Sequence, residues 1–181
     1  MIQEEVASIL LSGYIPRGML EKEYLEVKNY QQVFKYLLEN NEKMNTILIK
    51  NYHKLLIGDL REDVGKYKSQ KNIIIGADFE TTKPYKIPFV LQEWGDNYNY
   101  RMKDTVSNEE KVRVIMEEYI KFERIHPFSD GNGRTGRMLI LDSCIKEDIL
   151  PIVISKDKKD KYIDILRKEN YGDFTIWGIE L

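Results

Sequence analysis

The chain has 181 residues, 42% of them hydrophobic, which favours one compact core over a disordered chain or a repeat array. Lys and Arg total 28 against 30 for Asp and Glu, so no overall basic field would attract nucleic acid or a membrane, and any anion site must be local. The single cysteine, Cys144, excludes an intrachain disulfide and a cysteine-based zinc site, and it favours a reducing, cytoplasmic setting.

Apolar residues recur at three- and four-residue spacing along most of the chain, as in helices that bury one face. The pattern predicts a series of helices around residues 27–38, 44–55 and 87–98. The next helix begins with a capping-box pattern at Ser107 and Glu110. Two more are predicted within "MLILDSCIKEDIL" and "DKYIDILRKENYGDF". The first residues are acidic and no stretch approaches ~20 apolar residues, so we expect neither a secretory signal nor a membrane span.

Residues between Gly65 and Pro88 interrupt this helical pattern. The stretch "KNIIIGADFETTKPYKIP" combines a β-branched run, a glycine and a Thr/Lys/Pro cluster, which predicts a short hairpin. No repeat, low-complexity tract or linker divides the chain. We therefore expect a single domain over residues 1–181, helical apart from this hairpin.

The segment His126 to Arg137, "HPFSDGNGRTGR", lies between two predicted helices. Its Gly-Asn-Gly indicates a turn into a helix N-terminus, where free N–H groups and the helix dipole favour an anion. Arg134 and Arg137 follow in the first turn, where cations are unfavourable and repel each other. Two arginines there indicate a bound polyphosphate, the alternative being two solvated surface side chains.

Two further residues of this segment have both a chemical and a structural interpretation. Asp130 would weaken phosphate binding unless a cation came between them, which favours Mg²⁺, although Asp also serves as a helix N-cap. His126 is suited to accept a proton from an attacking hydroxyl. A lone histidine is more often a packing or hydrogen-bonding residue, which is the interpretation we favour for His53.

The segment "HPFSDGNGRTGR" resembles the signature of the Fic family, H-P-F-x-[DE]-G-N-G-R-x-x-R, at every fixed position. The stretches "EVKNYQQVFKYL", "HKLLIGDLREDVGKYK" with "NIIIGA", and "DKYIDILRKENYGDF" are also similar to family segments in the same order. The resemblance implies an all-α fold, a Fic-type helical bundle with one small β-hairpin flap at about residues 70–88 beside the motif. It also implies a protein adenylyltransferase that transfers AMP from Mg-ATP to a Ser, Thr or Tyr hydroxyl of a target protein and releases pyrophosphate.

The resemblance further implies a role for each motif residue. His126 would be the catalytic base and Asp130 would hold Mg²⁺. The remaining nucleotide contacts would come from Gly131, Asn132 and Gly133 as the anion hole, from Arg134 and Arg137 on the phosphate tail, and from Tyr162 and Leu166 near the adenine. For Tyr162 and Leu166 core packing is an equally good interpretation. The strand Ile73 to Ile75 would pair with an extended piece of the target protein.

Two features depart from the family pattern. Lys68 stands where relatives often have arginine before the flap. Relatives also often carry an inhibitory [ST]-x-x-x-E-[GN] helix whose glutamate pairs with the second motif arginine, here Arg137. Glu39 and Glu169 are followed by asparagine but lack the Ser or Thr four residues earlier. An inhibitory glutamate is therefore expected to be lost, to lie upstream or to come from a partner chain.

Two alternatives to an AMP transferase stay open. A Fic-type transferase that uses another nucleotide, such as UTP or GTP, or another phosphate-linked donor is the first. In the death-on-curing branch a lysine replaces the second motif glycine, which is Gly133 here, so that branch is disfavoured. The second alternative is a non-catalytic protein-binding module, which the intact His126 and anion loop disfavour.

Overall fold

The computed structural model describes residues 15–74, 79–152 and 159–168, and within these ranges the chain is helical with no β-strand. The all-α prediction is therefore confirmed for the described part. The α-helices are α1 (Glu21–Glu39), α2 (Thr46–Ile57), α3 (Ile87–Lys103), α4 (Asn108–Ile125), α5 (Asn132–Lys146) and α6 (Lys159–Lys168), with short 3-10 helices at Gly58–Leu60 and Pro84–Lys86. None of these helices has the length and apolar composition needed to cross a membrane.

Local sequence signals set the helix boundaries. The Asn45 side chain caps α2 by accepting bonds from the N–H groups of Ile47 and Leu48, at 2.8 Å each. At the start of α4, Ser107 accepts a bond from the Glu110 N–H at 3.2 Å, and the Glu110 carboxylate accepts one from the Ser107 N–H. The predicted capping box is thus confirmed, since both bonds satisfy amides that the first turn leaves open.

The predicted hairpin at about residues 70–88 is described only in part. Its centre, residues 75–78, lies outside the described residues, and so does Ile75 of the predicted strand. The described flanks contain no strand, and the hairpin's predicted end is wrong because residues 84–88 are helical. Pro84 and Pro88 stand in the first turns of a 3-10 helix and of α3, where the fixed φ of proline suits a helix start.

We call residues 70–83 the flap segment, and its two described flanks lie side by side. The Thr81 hydroxyl lies 2.9 Å from the Asn72 carbonyl oxygen, and Lys71 forms an ion pair with Glu80 at 3.2 Å. These contacts hold the two described flanks, residues 70–74 and 79–83, against each other.

Helix α4 lies at the centre of the helical packing and contacts α3, α5 and α6. Its side chains Met116, Ile120 and Phe122 have no exposed surface. The indole N–H of Trp94 on α3 donates to the Glu118 carbonyl oxygen at 3.0 Å. Burial of this apolar surface is the main stabilising contribution to such a bundle. The single domain over residues 1–181 stays a prediction.

Helix α5 is held on two sides, which fixes the motif at its N-terminus. Toward α2, the buried Tyr52 hydroxyl donates to the Asp142 carboxylate at 2.6 Å, and Lys146 pairs with the same carboxylate at 2.9 Å. Toward α4, a Cβ atom on Gly136 would lie 2.7 Å from a ring carbon of Tyr119 and from a carboxylate oxygen of Glu123. The two helices can come this close only because Gly136 has no side chain.

We expect Gly136→Ala to lower the free energy of unfolding by about 1–3 kcal/mol, because the added methyl group overlaps atoms of α4. Urea denaturation followed by circular dichroism measures this change. Gly95→Ala on α3 is the matched control, since a Cβ there would lie 3.5 Å from its nearest atom, the Met44 carbonyl oxygen. The control should be neutral or more stable by up to ~1 kcal/mol from helix propensity. Equal urea midpoints for Gly136→Ala and wild type would contradict the close approach.

Candidate active site

The motif segment turns the chain from the end of α4 to the start of α5 through two residues with left-handed backbone. His126 caps α4 at φ 51° and Gly131 precedes α5 at φ 78°. A non-glycine residue in this region carries backbone strain, which the surrounding contacts must hold in place. The His126 N–H still donates to the Phe122 carbonyl oxygen at 3.0 Å, so the histidine is fixed to the end of α4.

The Asn132 side chain closes the loop between these helices. It is only 2% exposed, its Oδ1 accepts from the Phe128 N–H and its Nδ2 donates to the Phe128 carbonyl oxygen, both at 2.8 Å. Both ends of the amide are therefore occupied within the loop. What Asn132 can offer an anion is its backbone N–H, together with those of Gly133 and Arg134, because the first amides of a helix have no intrahelical acceptor.

His53 on α2 supports the same loop from below. It is 2% exposed and stacks on Phe128 with ring centroids 3.8 Å apart. The Gly65 N–H donates to Nδ1 at 2.9 Å, so Nε2 carries the proton and donates to the Asp130 carbonyl oxygen at 3.0 Å. Burial lowers the pKa of His53 and so favours this neutral form. His53 is a hydrogen-bonding residue, as its preferred interpretation predicted.

Gly131 is required where it stands for two reasons. Its φ of 78° lies in the left-handed region, and a Cβ atom would lie 2.5 Å from Ile57 Cδ1 and 3.3 Å from His53 Nε2. A side chain would therefore push α5 away from α2. The fixed glycine of the motif is explained here by packing as well as by any contact with a ligand.

His126 has the geometry of a base. Its Nδ1 lies 3.1 Å from the Glu123 carbonyl oxygen, which can only accept, so Nδ1 carries the proton and Nε2 keeps its lone pair. Burial lowers the pKa of His126 to about 4, against the opposite effect of the hydrogen bond to the Glu123 carbonyl oxygen, while the nearby charge of Lys68 makes a smaller contribution that also lowers it. The ring is consequently neutral at pH 7 and able to accept a proton.

Asp130 is the residue of this loop that could hold a Mg²⁺ ion. Its side chain is 55% exposed, Oδ1 accepts from the Gly131 N–H at 2.7 Å and Oδ2 lies 3.4 Å from Arg134. No group of three or more metal-ligating side chains occurs among the residues that the structure describes. One exposed carboxylate nevertheless suits Mg²⁺, which keeps several waters and binds phosphate oxygens. The N-cap position itself belongs to Gly131, not to Asp130.

The two motif arginines lie differently. Arg134 is 22% exposed and is paired with Asp130 at 3.4 Å and with Glu26 of α1 at 3.5 Å. Arg137 is exposed, yet its Nη1 lies 3.2 Å from where a Cβ of Gly133 would be, so its guanidinium folds back over the first turn of α5. Arg134 is therefore paired and not simply solvated, and both positive charges lie near the open amides.

The structure adds one residue, Glu26, that the sequence did not single out, and it bears on the predicted adenine contacts of Leu166 and Tyr162. Glu26 carries no motif signal, and only the packing of α1 reveals its contact with Arg134. Leu166 is fully buried in the core, which favours its packing interpretation. Tyr162 lies on α6, but its side chain is outside the described part of the chain, so its adenine contact stays a prediction.

Hydrogen bonds join the base of the flap segment to the motif loop, residues 126–131 between α4 and α5. The Asn72 side chain donates to the Phe128 carbonyl oxygen at 2.8 Å, and the Lys68 N–H donates to the Pro127 carbonyl oxygen at 2.9 Å. The base of the flap segment thus borders the loop that carries His126, although the pairing predicted for Ile73 to Ile75 is untested.

Sequence relatives share both the motif and its surroundings. A model of the Fic/DOC family matches residues 43–142. A protein adenylyltransferase Fic from Culex quinquefasciatus is 27% identical over 93% of this chain and 34% of its own length. The chain spans about a third of the length of the curated relatives that it matches over most of its own length.

Solved structures agree on the fold. A Fic domain containing signaling protein from Bacteroides thetaiotaomicron superposes with a TM-score of 0.80 at 21% identity, over 99% of this chain and 73% of that one. The N-terminal Fic domain of a cell filamentation protein from Bartonella quintana, solved with bound ADP, gives 0.72 at 17% identity, over 90% of this chain and 86% of that one. Because the family model spans more than half of the sequence, including the whole loop from His126 to Arg137, the chain belongs to the Fic/DOC family.

Proposed function

We propose that this chain is a protein adenylyltransferase that transfers AMP from Mg-ATP to a Ser, Thr or Tyr hydroxyl of a target protein. The observation that carries the proposal is a neutral imidazole with a free Nε2 beside a helix N-terminus that two arginines border. Relatives named protein adenylyltransferase support it, as does the related Fic domain solved with bound ADP. We place the reaction in the cytoplasm, because the one cysteine is a free, buried thiol.

In this reaction His126 takes the proton from the target hydroxyl through Nε2 as the hydroxyl oxygen attacks the α-phosphate. The new O–P bond forms as the bond to pyrophosphate breaks, and pyrophosphate leaves with the electron pair. The Nδ1–H bond to the Glu123 carbonyl oxygen keeps the ring in the tautomer that can accept the proton. The base therefore needs no side-chain partner to orient it.

The first turn of α5 stabilises the charge of the reacting phosphates. Its open amides, from Asn132 to Arg134, donate to phosphate oxygens, and Arg134 and Arg137 bind the pyrophosphate portion. Asp130 would hold Mg²⁺, which when bound supplies positive charge between the carboxylate and the phosphate oxygens. Tyr162 would border the adenine, and the target would lie as an extended segment beside the flap segment.

Regulation of this site would act through its arginines. An inhibitory partner chain would supply a glutamate to Arg137. Within the chain itself, Glu26 already pairs with Arg134 at 3.5 Å, on the group that is proposed to bind phosphate. Glu26 and a nucleotide phosphate would therefore compete for one guanidinium.

We expect His126→Ala to abolish transfer while ATP affinity stays nearly unchanged, since a general base contributes on the order of 10²–10⁴ to the rate. ATP labelled at the α-phosphate, Mg²⁺ and cell lysate give the transfer, and calorimetry gives the affinity. Full activity of the variant would exclude the base role. Parallel reactions with UTP and GTP test the other donors. If no nucleotide labels any protein above the His126→Ala background, the binding-module alternative is favoured instead.

The rate of transfer should depend little on pH across the neutral range. Burial disfavours the imidazolium, so the pKa of His126 falls to about 4 and the ring stays neutral as pH drops through the usual histidine range. We expect kcat to stay flat from about pH 7.5 to about pH 6, whereas an unshifted histidine would lose half its activity near pH 6.5. A pH–rate profile at saturating substrates, with circular dichroism to monitor folding, measures this. A midpoint near 6.5 would contradict the buried base.

We expect Glu26→Gln to raise the affinity for ATP by up to about fivefold, because a partly exposed ion pair contributes about 0.2–1 kcal/mol and its loss leaves Arg134 to the phosphate. Calorimetric titration with Mg-ATP measures this. Glu39→Gln is the matched control, with the same charge change roughly 20 Å farther along α1. Weaker ATP binding by Glu26→Gln would mean that Glu26 orients Arg134 for the nucleotide and does not compete with it.

A further inference from the structure

Lys68 is a buried lysine beside the motif loop, with 3% of its surface exposed. Lysine is rarely buried without a carboxylate partner, yet within residues 15–74, 79–152 and 159–168 no carboxylate pairs with it. Its ammonium instead donates to two neutral oxygens, Asn72 Oδ1 at 2.6 Å and Thr81 Oγ1 at 2.8 Å. Holding a charge in such surroundings costs stability, so the position points to a role beyond folding.

The two acceptors stand on opposite sides of the flap segment. Asn72 precedes its centre and Thr81 follows it, and the Thr81 hydroxyl also lies 2.9 Å from the Asn72 carbonyl oxygen. The other described contact between the flanks is the Lys71–Glu80 pair, which is exposed and so contributes little. Lys68 therefore supplies a buried connection that joins both flanks to one point.

Lys68 is also hydrogen-bonded to the motif loop. The Lys68 N–H donates to the carbonyl oxygen of Pro127, the residue after His126, at 2.9 Å. Asn72 donates to the Phe128 carbonyl oxygen at 2.8 Å, the oxygen that also accepts from Asn132. The nearby charge of Lys68 also lowers the pKa of His126, although by less than burial does.

We propose that Lys68 is a positioning residue of the transfer reaction, which clamps both flanks of the flap segment to the motif loop beside His126. This inference rests on the proposed transferase function. Lys68 acts through Asn72, Thr81 and Pro127, which set where a target bound at the flap segment meets Nε2 of His126. The first turn of α5 is also held by the second Asn132 bond, to the Phe128 N–H, and by the packing of Gly131 and Gly136, so its affinity for nucleotide should depend little on Lys68.

The first test compares kcat/KM for the target protein with the affinity for ATP. Lys68→Met keeps the length of the side chain but removes its charge and donors. We expect it to lower kcat/KM for the target on the order of tenfold to a hundredfold, since small displacements of reacting groups have large effects, and to leave ATP affinity unchanged. Lys68→Arg, which keeps a charge and several donors, should recover most of the loss. An unchanged kcat/KM in Lys68→Met would overturn the proposal.

Thr81→Val is a second variant in case Lys68→Met does not fold. It removes one of the two acceptors at nearly constant volume and leaves the charge of Lys68 in place. We expect a rise in the KM for the target with ATP affinity unchanged. Wild-type kinetics in Thr81→Val would overturn the clamp.

The second test needs no target protein. The chain has two histidines, His53 and His126, so their imidazole C–H signals in NMR can be followed through a pH titration. In Lys68→Met the pKa of His126 should rise, because a nearby positive charge is gone. The pKa of His53 should stay the same, because Lys68 does not act on that imidazole. An unchanged pKa of His126 would contradict the placement of the Lys68 ammonium near the imidazole, on which the proposal depends. If wild-type protein labels no target, the transferase function fails, but this titration still reports whether Lys68 acts on His126.

Discussion

The paired hydrogen bonds between the Asn132 side chain and the Phe128 backbone are the contacts on which the site depends. They close the loop between α4 and α5 from inside the protein. The closure brings the end of one helix, with His126, next to the start of the other, with its open amides. Because these bonds are buried, water does not compete for them and each is worth more than it would be at the surface. The same backbone contacts therefore position both His126 and the open amides of α5.

The charges around this loop only make sense together. Arginine at the positive end of a helix is unfavourable, and the structure shows how Arg134 is accommodated, between Asp130 and Glu26. A phosphate group that binds there would meet a guanidinium already held in place by two carboxylates. Mg²⁺ on Asp130 would remove one of those carboxylates as a competitor. Under the proposed function, the internal ion pairs of Arg134 would therefore compete with a bound phosphate.

Much of the fold and the motif chemistry could be predicted from local patterns, and the failures have definite causes. Helical periodicity and the Ser107–Glu110 capping box are local, so the chain sequence contains them. The predicted C-terminal end of the hairpin is wrong because proline is common both in turns and at helix starts. Pro84 and Pro88 lie at helix starts. Glu26 could not be found, since its contact with Arg134 joins segments far apart in sequence. His53 was recognisable as a hydrogen-bonding residue, but its two partners were not.

Burial shifts the two basic groups near the loop in the same direction but with opposite consequences. The pKa of His126 falls to about 4 and that of Lys68 to about 8, so between these values the imidazole is neutral and the amine is charged. An arginine at residue 68 would stay charged at any accessible pH. The lysine instead begins to lose its charge as the pH rises toward 8. Each group also reinforces the state of the other, because a cation at Lys68 opposes protonation of His126. The charge of the buried lysine thus adds a smaller effect to the burial that keeps the His126 imidazole neutral.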